Sequence, residues 1–304
     1  MPSPTAPTPL HSPRYWPSLL GLATVRALAR LPLPVLHRIG SVAGWIAQHL
    51  LFARAHIARR NLAQCFPDMD HLQREALLQA TLRDSGRMLV EFALAWFGSD
   101  AAIASIPCRI EGLEHLQAAR DSGQGVLLVG GHFSHLELCA RLVSQRIRIA
   151  GMYRVMDSAV FERAVLAARL HYADAMFAKD ELRATVRYLK RGGTVWYAPD
   201  QDMRGKDSVF VPFFNVPAAT ITATHHLARL SGAQVLPFFH RRLPDGSYAL
   251  RIAPALADFP SDDVLADTAR VNTAIEAMVR EAPEQYLWLH KRFKTRPPGD
   301  KPVY

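Results

Sequence analysis

From about Cys108 onward, short apolar runs rich in β-branched residues alternate with segments of helical periodicity. This alternation limits the fold more than any other feature. The strand-like runs are 126–129, 147–155, 194–197, 235–239 and 248–252; helical patterns fill 135–145, 160–170, 181–189, 219–230 and 264–280. Strands separated by helices need crossover connections, which give a mostly parallel sheet with both faces covered. The last two strands are expected to form a hairpin around Pro244-Asp245-Gly246, a sequence suited to a tight turn. Ahead of the sheet, 70–97 reads as one long helix or a kinked pair.

The N-terminal part has a different character. No Asp or Glu occurs before Asp68, while Arg14, Arg26, Arg30, Arg38, Arg54, Arg59 and Arg60 all fall in that stretch. They flank two apolar segments, 16–28 and 39–52, and in the second Ile39, Val42, Ala43, Ile46, Ala47 and Leu50 recur at helical spacing. Its charge-free length of about 14 residues makes a helix of about 21 Å, short of the ~30 Å hydrocarbon core. A helix lying in the membrane interface, with arginines at the phosphate level, is therefore expected in place of a span. The organisation that follows is a disordered Pro-rich 1–13, a membrane-associated helical segment 14–67, and an α/β domain 68–304.

A formal charge of +9 and a pI near 9.8 favour anionic partners. Nucleic acid is disfavoured, because the basic residues flank apolar helices and glycine-rich turns and build no single recognition element. Cys65, Cys108 and Cys139 show no paired spacing and read as reduced thiols.

The segment that carries chemistry is Gly130-Gly131-His132-Phe133-Ser134-His135-Leu136-Glu137, directly after the strand 126–129 and leading into a helix. Chemistry in open α/β sheets sits at the carboxyl ends of strands. His132 is expected to act there as general base, with Glu137 reaching back from the helix to fix its tautomer. There is no G-x-S-x-G elbow, so the base would act on an acceptor hydroxyl, with amides at the helix start holding the oxyanion. Ser134 is expected to cap that helix and Asp180 a later one. His132, His135, Glu137 and Cys139 match neither H-E-x-x-H nor H-x-x-E-H, so no metal and no cofactor are expected.

His132…Glu137 resembles the H-x4-[DE] motif of the glycerolipid and lysophospholipid acyltransferase superfamily. More narrowly, the chain resembles the late acyltransferases of lipid A biosynthesis, the lauroyl/myristoyl transferase type. The resemblance is carried, in order, by Arg60-Asn61-Leu62 with Cys65-Phe66-Pro67, Gly130-Gly131-His132-Phe133, Ala198-Pro199-Asp200-Gln201-Asp202, Ser208 to Phe214 with Val216-Pro217-Ala218, and Tyr286 to Pro297. It implies a glycerolipid acyltransferase-like fold. It also implies transfer of a fatty acyl chain from acyl carrier protein to a hydroxyl of a lipid A precursor, in lipopolysaccharide biosynthesis at the cytoplasmic face of the inner membrane. His132 and Glu137 map to the catalytic pair, and Arg154 and Asp200 to substrate-binding blocks. The chain departs from the family pattern at Asn215, where glycine is usual, at Val155, and over 169–174. These departures bear on acceptor preference. Another glycolipid or an ornithine-type lipid as acceptor, or water in a thioesterase, are the alternative readings.

Overall fold

The computed structural model describes residues 12–304; the disorder expected for 1–13 falls almost wholly outside them. Four helices come first: α1 (Trp16–Leu28), α2 (Leu33–Leu50), α3 (Phe52–Cys65) and α4 (His71–Phe97). The predicted long helix 70–97 is thus one element. Asp70 caps it by accepting from the Gln73 amide, while the Gln73 side chain accepts from the Asp70 amide.

Close packing of α2 on α4 follows from three glycines. A Cβ added at Gly86 would land on the Gly40 carbonyl, and one at Gly44 on the Leu82 carbonyl, so the two backbones touch. The opposite side of α2 is left outward, with Ile39, Val42, Trp45 and Ile46 exposed. No helix among the described residues is long and apolar enough to cross a membrane. Helix α3 buries Ala58, Leu62 and Cys65 in the same core as the central sheet.

The α/β part contains α5 (Asp100–Ala104), β1 (Cys108–Glu111), α6 (Leu113–Asp121), β2 (Val126–Val129), α7 (Leu136–Ser144), β3 (Ala150–Tyr153), α8 (Ala159–Tyr172), β4 (Met176–Ala178) and α9 (Leu182–Leu189). It continues with β5 (Thr194–Tyr197), β6 (Ser208–Phe213), β7 (Val216–Ile221), α10 (Ala223–Ser231), β8 (Gln234–Arg242), β9 (Tyr248–Ile252) and α11 (Val264–Glu281). Seven strands form one sheet in the order β1-β9-β8-β2-β5-β3-β4. Every pairing is parallel except the β8–β9 hairpin, whose turn is the expected one. The expected mostly parallel sheet flanked by helices is therefore the observed architecture.

Strand β2 lies near the middle and is buried along its length. Its side chains alternate between two cores, as a two-fold pleat requires. Leu127 and Val129 face the core shared with α3 and α11; Val126 and Leu128 face the core shared with α4, α6 and α7.

One predicted helix is shorter than its pattern. The run 219–230 becomes helical only at Ala223, because 216–221 pairs with β6. That hairpin turns on Phe214 (φ 51°) and Asn215 (φ 60°), two consecutive left-handed residues. Such a two-residue turn matches strand twist, and asparagine tolerates it better than most side chains. Asn215, one of the departures from the family pattern, is thus compatible with the turn.

Candidate active site

Parallel register assembles the site. In the β2–β5 pairing, Val129 stands opposite Tyr197. Each strand then runs three residues further, through Gly130-Gly131 and Ala198-Pro199, to His132 and Asp200. The two side chains meet. Asp200 Oδ1 lies 2.6 Å from His132 Nδ1, and Oδ2 accepts the His132 backbone amide at 2.9 Å. The glycines are needed for room: a Cβ at Gly130 would sit 2.6 Å from the Phe238 carbonyl oxygen, and one at Gly131 3.1 Å from Ile275.

Asp200 is fully buried. Burial alone would raise its pKa, but the His132 charge and the hydrogen bonds from His132 and Tyr286 outweigh that and hold it down at about 2. Burial pushes the His132 imidazole down; Asp200 more than offsets this, so its pKa lies above the ordinary histidine value. The ionised carboxylate therefore accepts a hydrogen bond from Nδ1–H, which keeps the proton on that nitrogen and leaves Nε2 as the one that can accept a proton.

The structure corrects the expected pairing with Glu137. That carboxylate points away from His132, toward α8 and α4. Arg169 grips both its oxygens, Trp96 Nε1 donates to it at 2.8 Å, and the Tyr172 hydroxyl lies at 3.4 Å. The reason is topological. Glu137 is already in the first turn of α7, whereas the loop after the neighbouring parallel strand emerges beside His132. Two capping expectations also change. Ser134 donates to Asp84 and His135 takes the N-cap place, while Glu181, not Asp180, precedes α9. The amides of Phe133, Ser134 and Leu136 are occupied by carbonyls of Gly131, Gln285 and Phe133, so the helix start offers no such row of donors for an oxyanion.

The scattered sequence motifs converge behind this pair. The Leu287 amide bonds to the His132 carbonyl at 3.0 Å, and Ser134 N–H to the Gln285 carbonyl at 2.8 Å. The 286–297 segment is in turn held by Asn61, whose Nδ2 donates to the Trp288 and His290 carbonyls at 2.7 and 2.8 Å. Asp202 accepts from Thr295 N and Oγ1 at 2.9 and 3.0 Å, and its own amide bonds to His290. Arg292 and Phe293 are buried, while Lys291 and Lys294 beside them stay exposed. Asn61, His290 and Thr295 were within the motifs that carried the resemblance, but their separation in sequence concealed their common task.

In front of His132 opens a cavity of about 960 Å³. Trp196, Val186 and Leu227 give it apolar walls, and Arg154, Lys179, Arg183, Arg187 and Lys190 also line it. All five cations are exposed. Arg183, Arg187 and Lys190 lie at spacings of four and three along and just past α9, which puts them on one face. Arg154 makes only a surface pair with Asp157, at 3.3 Å. A second, smaller cavity of about 70 Å³ shares Met152, Tyr153 and Trp196 with the first and is lined by Glu137, Arg169 and Met176.

No serine or cysteine shares a hydrogen bond with His132 among the described residues. His132 thus faces a cavity with apolar walls and a cationic lining, an arrangement with room for a large amphipathic ligand beside a base. The profile of bacterial lipid A biosynthesis acyltransferases matches residues 4–295, and the chain belongs to that family. It is 40% identical over 294 residues to the lipid A biosynthesis lauroyltransferase of Escherichia coli, covering 96% of both chains. It is also 40% identical over 297 residues to the palmitoleoyltransferase of the same organism, covering 97% of this chain and 96% of that one. Among solved structures, a 1-acyl-sn-glycerophosphate acyltransferase from Thermotoga maritima aligns with 83% of this chain and 98% of its own, at 14% identity and a TM-score of 0.38.

Proposed function

We propose that this acyltransferase moves a fatty acyl chain from acyl carrier protein to a hydroxyl of a lipid A precursor. The observation that carries the reading is the His132–Asp200 pair at the edge of the large cavity. His132 Nε2 takes the proton of the acceptor hydroxyl as its oxygen attacks the acyl thioester carbonyl. Asp200 stabilises the imidazolium that forms, and the proton then passes to the departing thiolate. No covalent intermediate on the protein is needed.

The apolar walls suit the acyl chain, and the cationic lining suits either of two acidic partners, the carrier protein or phosphates of the acceptor; Arg154 is assigned to substrate contact. Glu137 becomes a positioning residue that ties α7 to α8 through Arg169. The outward apolar side of α2, with Trp45 and Ile46 exposed beside an acid-free run of arginines, supports docking on the cytoplasmic face of the inner membrane.

The test is transfer of a labelled acyl group from acyl carrier protein to a Kdo-bearing lipid A precursor. Wild type should transfer and His132→Ala should not. Folded wild-type protein that transfers no acyl chain of any length to this acceptor would overturn the choice of acceptor.

A further inference from the structure

Three potential metal ligands meet in the core behind the catalytic loop. His135, at the start of α7, Cys139, one turn further on, and His240, from β8, each place one ligand atom within 4.8 Å of the others. All three residues are fully buried. The sequence pointed away from a metal because His135 and Cys139 alone make no recognised spacing; the third member arrives from a strand 101 residues beyond Cys139.

The hydrogen bonding of this cluster is incomplete in the manner of a ligand set. Neither ring nitrogen of His240 has a partner, although both are buried. An orphaned buried polar atom costs about 1–3 kcal/mol, so two on one ring call for an explanation. His135 Nε2 lies 2.9 Å from the main-chain oxygen of His240, which places its proton there. Its Nδ1 keeps a lone pair, and nearby Ser134, 3.3 Å away, gives its own hydroxyl proton to Asp84. A histidine that donates one N–H to a main-chain carbonyl and keeps a lone pair on its other nitrogen is in a protonation state that a metal ligand uses.

Buried acidic groups surround the cluster. Asp84 and Glu91, both buried, pair directly with Arg242, Arg87 also acts on Glu91, and one oxygen of Glu91 is itself unpartnered. His37, 2.7 Å from Glu91, is kept neutral by burial, with its pKa drawn down to about 4.

We propose that His135, Cys139 and His240 form a three-ligand binding site for a thiophilic divalent ion of the Zn²⁺ class. One thiolate and two imidazoles are a borderline-soft donor set that suits zinc better than magnesium or calcium. Binding exchanges the Cys139 thiol proton for the ion: the S–H bond breaks, an S–metal bond forms, and the proton leaves to solvent. A triangle with edges up to 4.8 Å has its centre within about 2.8 Å of each corner. Shifts of roughly half an ångström per side chain therefore reach the 2.0–2.3 Å bond lengths of zinc sites. The bound ion would pin the start of α7 to β8, three residues after His132.

The test uses the full-length protein, stripped with chelator and titrated with Zn²⁺ or Co²⁺ alone. Wild type is expected to retain about one ion per chain after desalting, to show cobalt–thiolate charge-transfer absorption, and to gain thermal stability with Zn²⁺. Cys139→Ser and His240→Leu should lose all three, and Cys65→Ala should keep them. The variants' far-ultraviolet dichroism establishes that they are folded; if Cys139→Ser fails to fold, His240→Leu alone decides. Failure of wild type to retain an ion, or equal retention and equal stabilisation in a folded variant, would overturn the proposal.

Discussion

Replacing Asp200 with asparagine tests the site most directly, because the two readings of His132 predict different results. Asp200 accepts twice from His132, once from Nδ1 and once from the backbone amide. Asparagine has only one oxygen. If that oxygen keeps the backbone amide, the side-chain NH2 faces Nδ1, which must then become the acceptor. The imidazole proton moves to Nε2, and the nitrogen facing the cavity can no longer take a proton. The carboxylate's stabilisation of the imidazolium is lost as well. Two unit charges about 4 Å apart attract by about 4 kcal/mol at an effective dielectric constant near 20. The His132 side chain is 28% exposed, so screening leaves roughly 2–3 kcal/mol, or about 30- to 150-fold in rate. With the wrong tautomer added, Asp200→Asn is expected to lower kcat by about 10²–10⁴ with a smaller change in KM. Glu137→Gln, which weakens the pair with Arg169, should cost less than about tenfold in kcat and show mainly as a lower Tm. The assay is acyl transfer across pH 5–9. The acidic limb of the wild type should lie above 6.5, since Asp200 raises the His132 pKa, and should move downward in any residual activity of Asp200→Asn. An Asp200→Asn protein within about threefold of wild type, beside a folded Glu137→Gln protein as inactive as His132→Ala, would refute the pairing and restore Glu137 as the partner.

Further expectations follow from other parts of the molecule. Asp200, whose folded pKa is depressed to about 2, contributes stability that is present above its ordinary pKa of 3.8 and lost as pH falls toward 2; acid unfolding of wild type should therefore show a component in that window that Asp200→Asn lacks. Gly86→Ala forces a methyl group into the Gly40 carbonyl and should cost about 3 kcal/mol, seen as a Tm lower by roughly 5–10 °C; an unchanged Tm would mean that α2 and α4 separate freely. Changing Arg183, Arg187 and Lys190 together to glutamine should raise KM for the carrier-bound donor or the phosphorylated acceptor about tenfold and flatten its salt dependence. Replacing Val42, Trp45 and Ile46 with serine should reduce co-sedimentation with anionic vesicles, and undiminished sedimentation would remove the outward side of α2 from membrane docking.

Much of the fold was legible from local pattern. Strands 126–129, 194–197 and 248–252 have the bounds expected of them, because each is a short, mainly apolar run preceded by glycine or serine. The β6–β7 hairpin was not recognised, since Pro212 and Pro217 interrupt its pattern and its turn rests on backbone angles at Phe214 and Asn215. Strand β1 is interrupted by exposed Arg109 and Glu111 and so lacks a continuous apolar run, and β4 has only three residues. In the site, His132 was identifiable from its place after a strand and two glycines, and Asp200 was singled out as a substrate contact. What the sequence could not supply was their pairing. Glu137 is five residues from His132 and Asp200 is 68, yet strand order makes the distant carboxylate the neighbour. The same holds for His240, which no local spacing connects to His135.

The equal run of three residues past Val129 and past Tyr197 has a consequence of its own. It makes the two loops arms of matched length growing from one fixed rung. A side chain added at Gly130 or Gly131 meets its neighbours, and adding or removing one residue in either arm displaces its tip by about 3 Å, far more than a hydrogen bond accommodates. Lengthening both arms together would carry the pair away from the 285–287 segment that anchors His132. The number of residues in Gly130-Gly131 and Ala198-Pro199 is thus as strict a requirement as the identity of the two glycines, and insertions there would silence the protein while leaving its sheet folded.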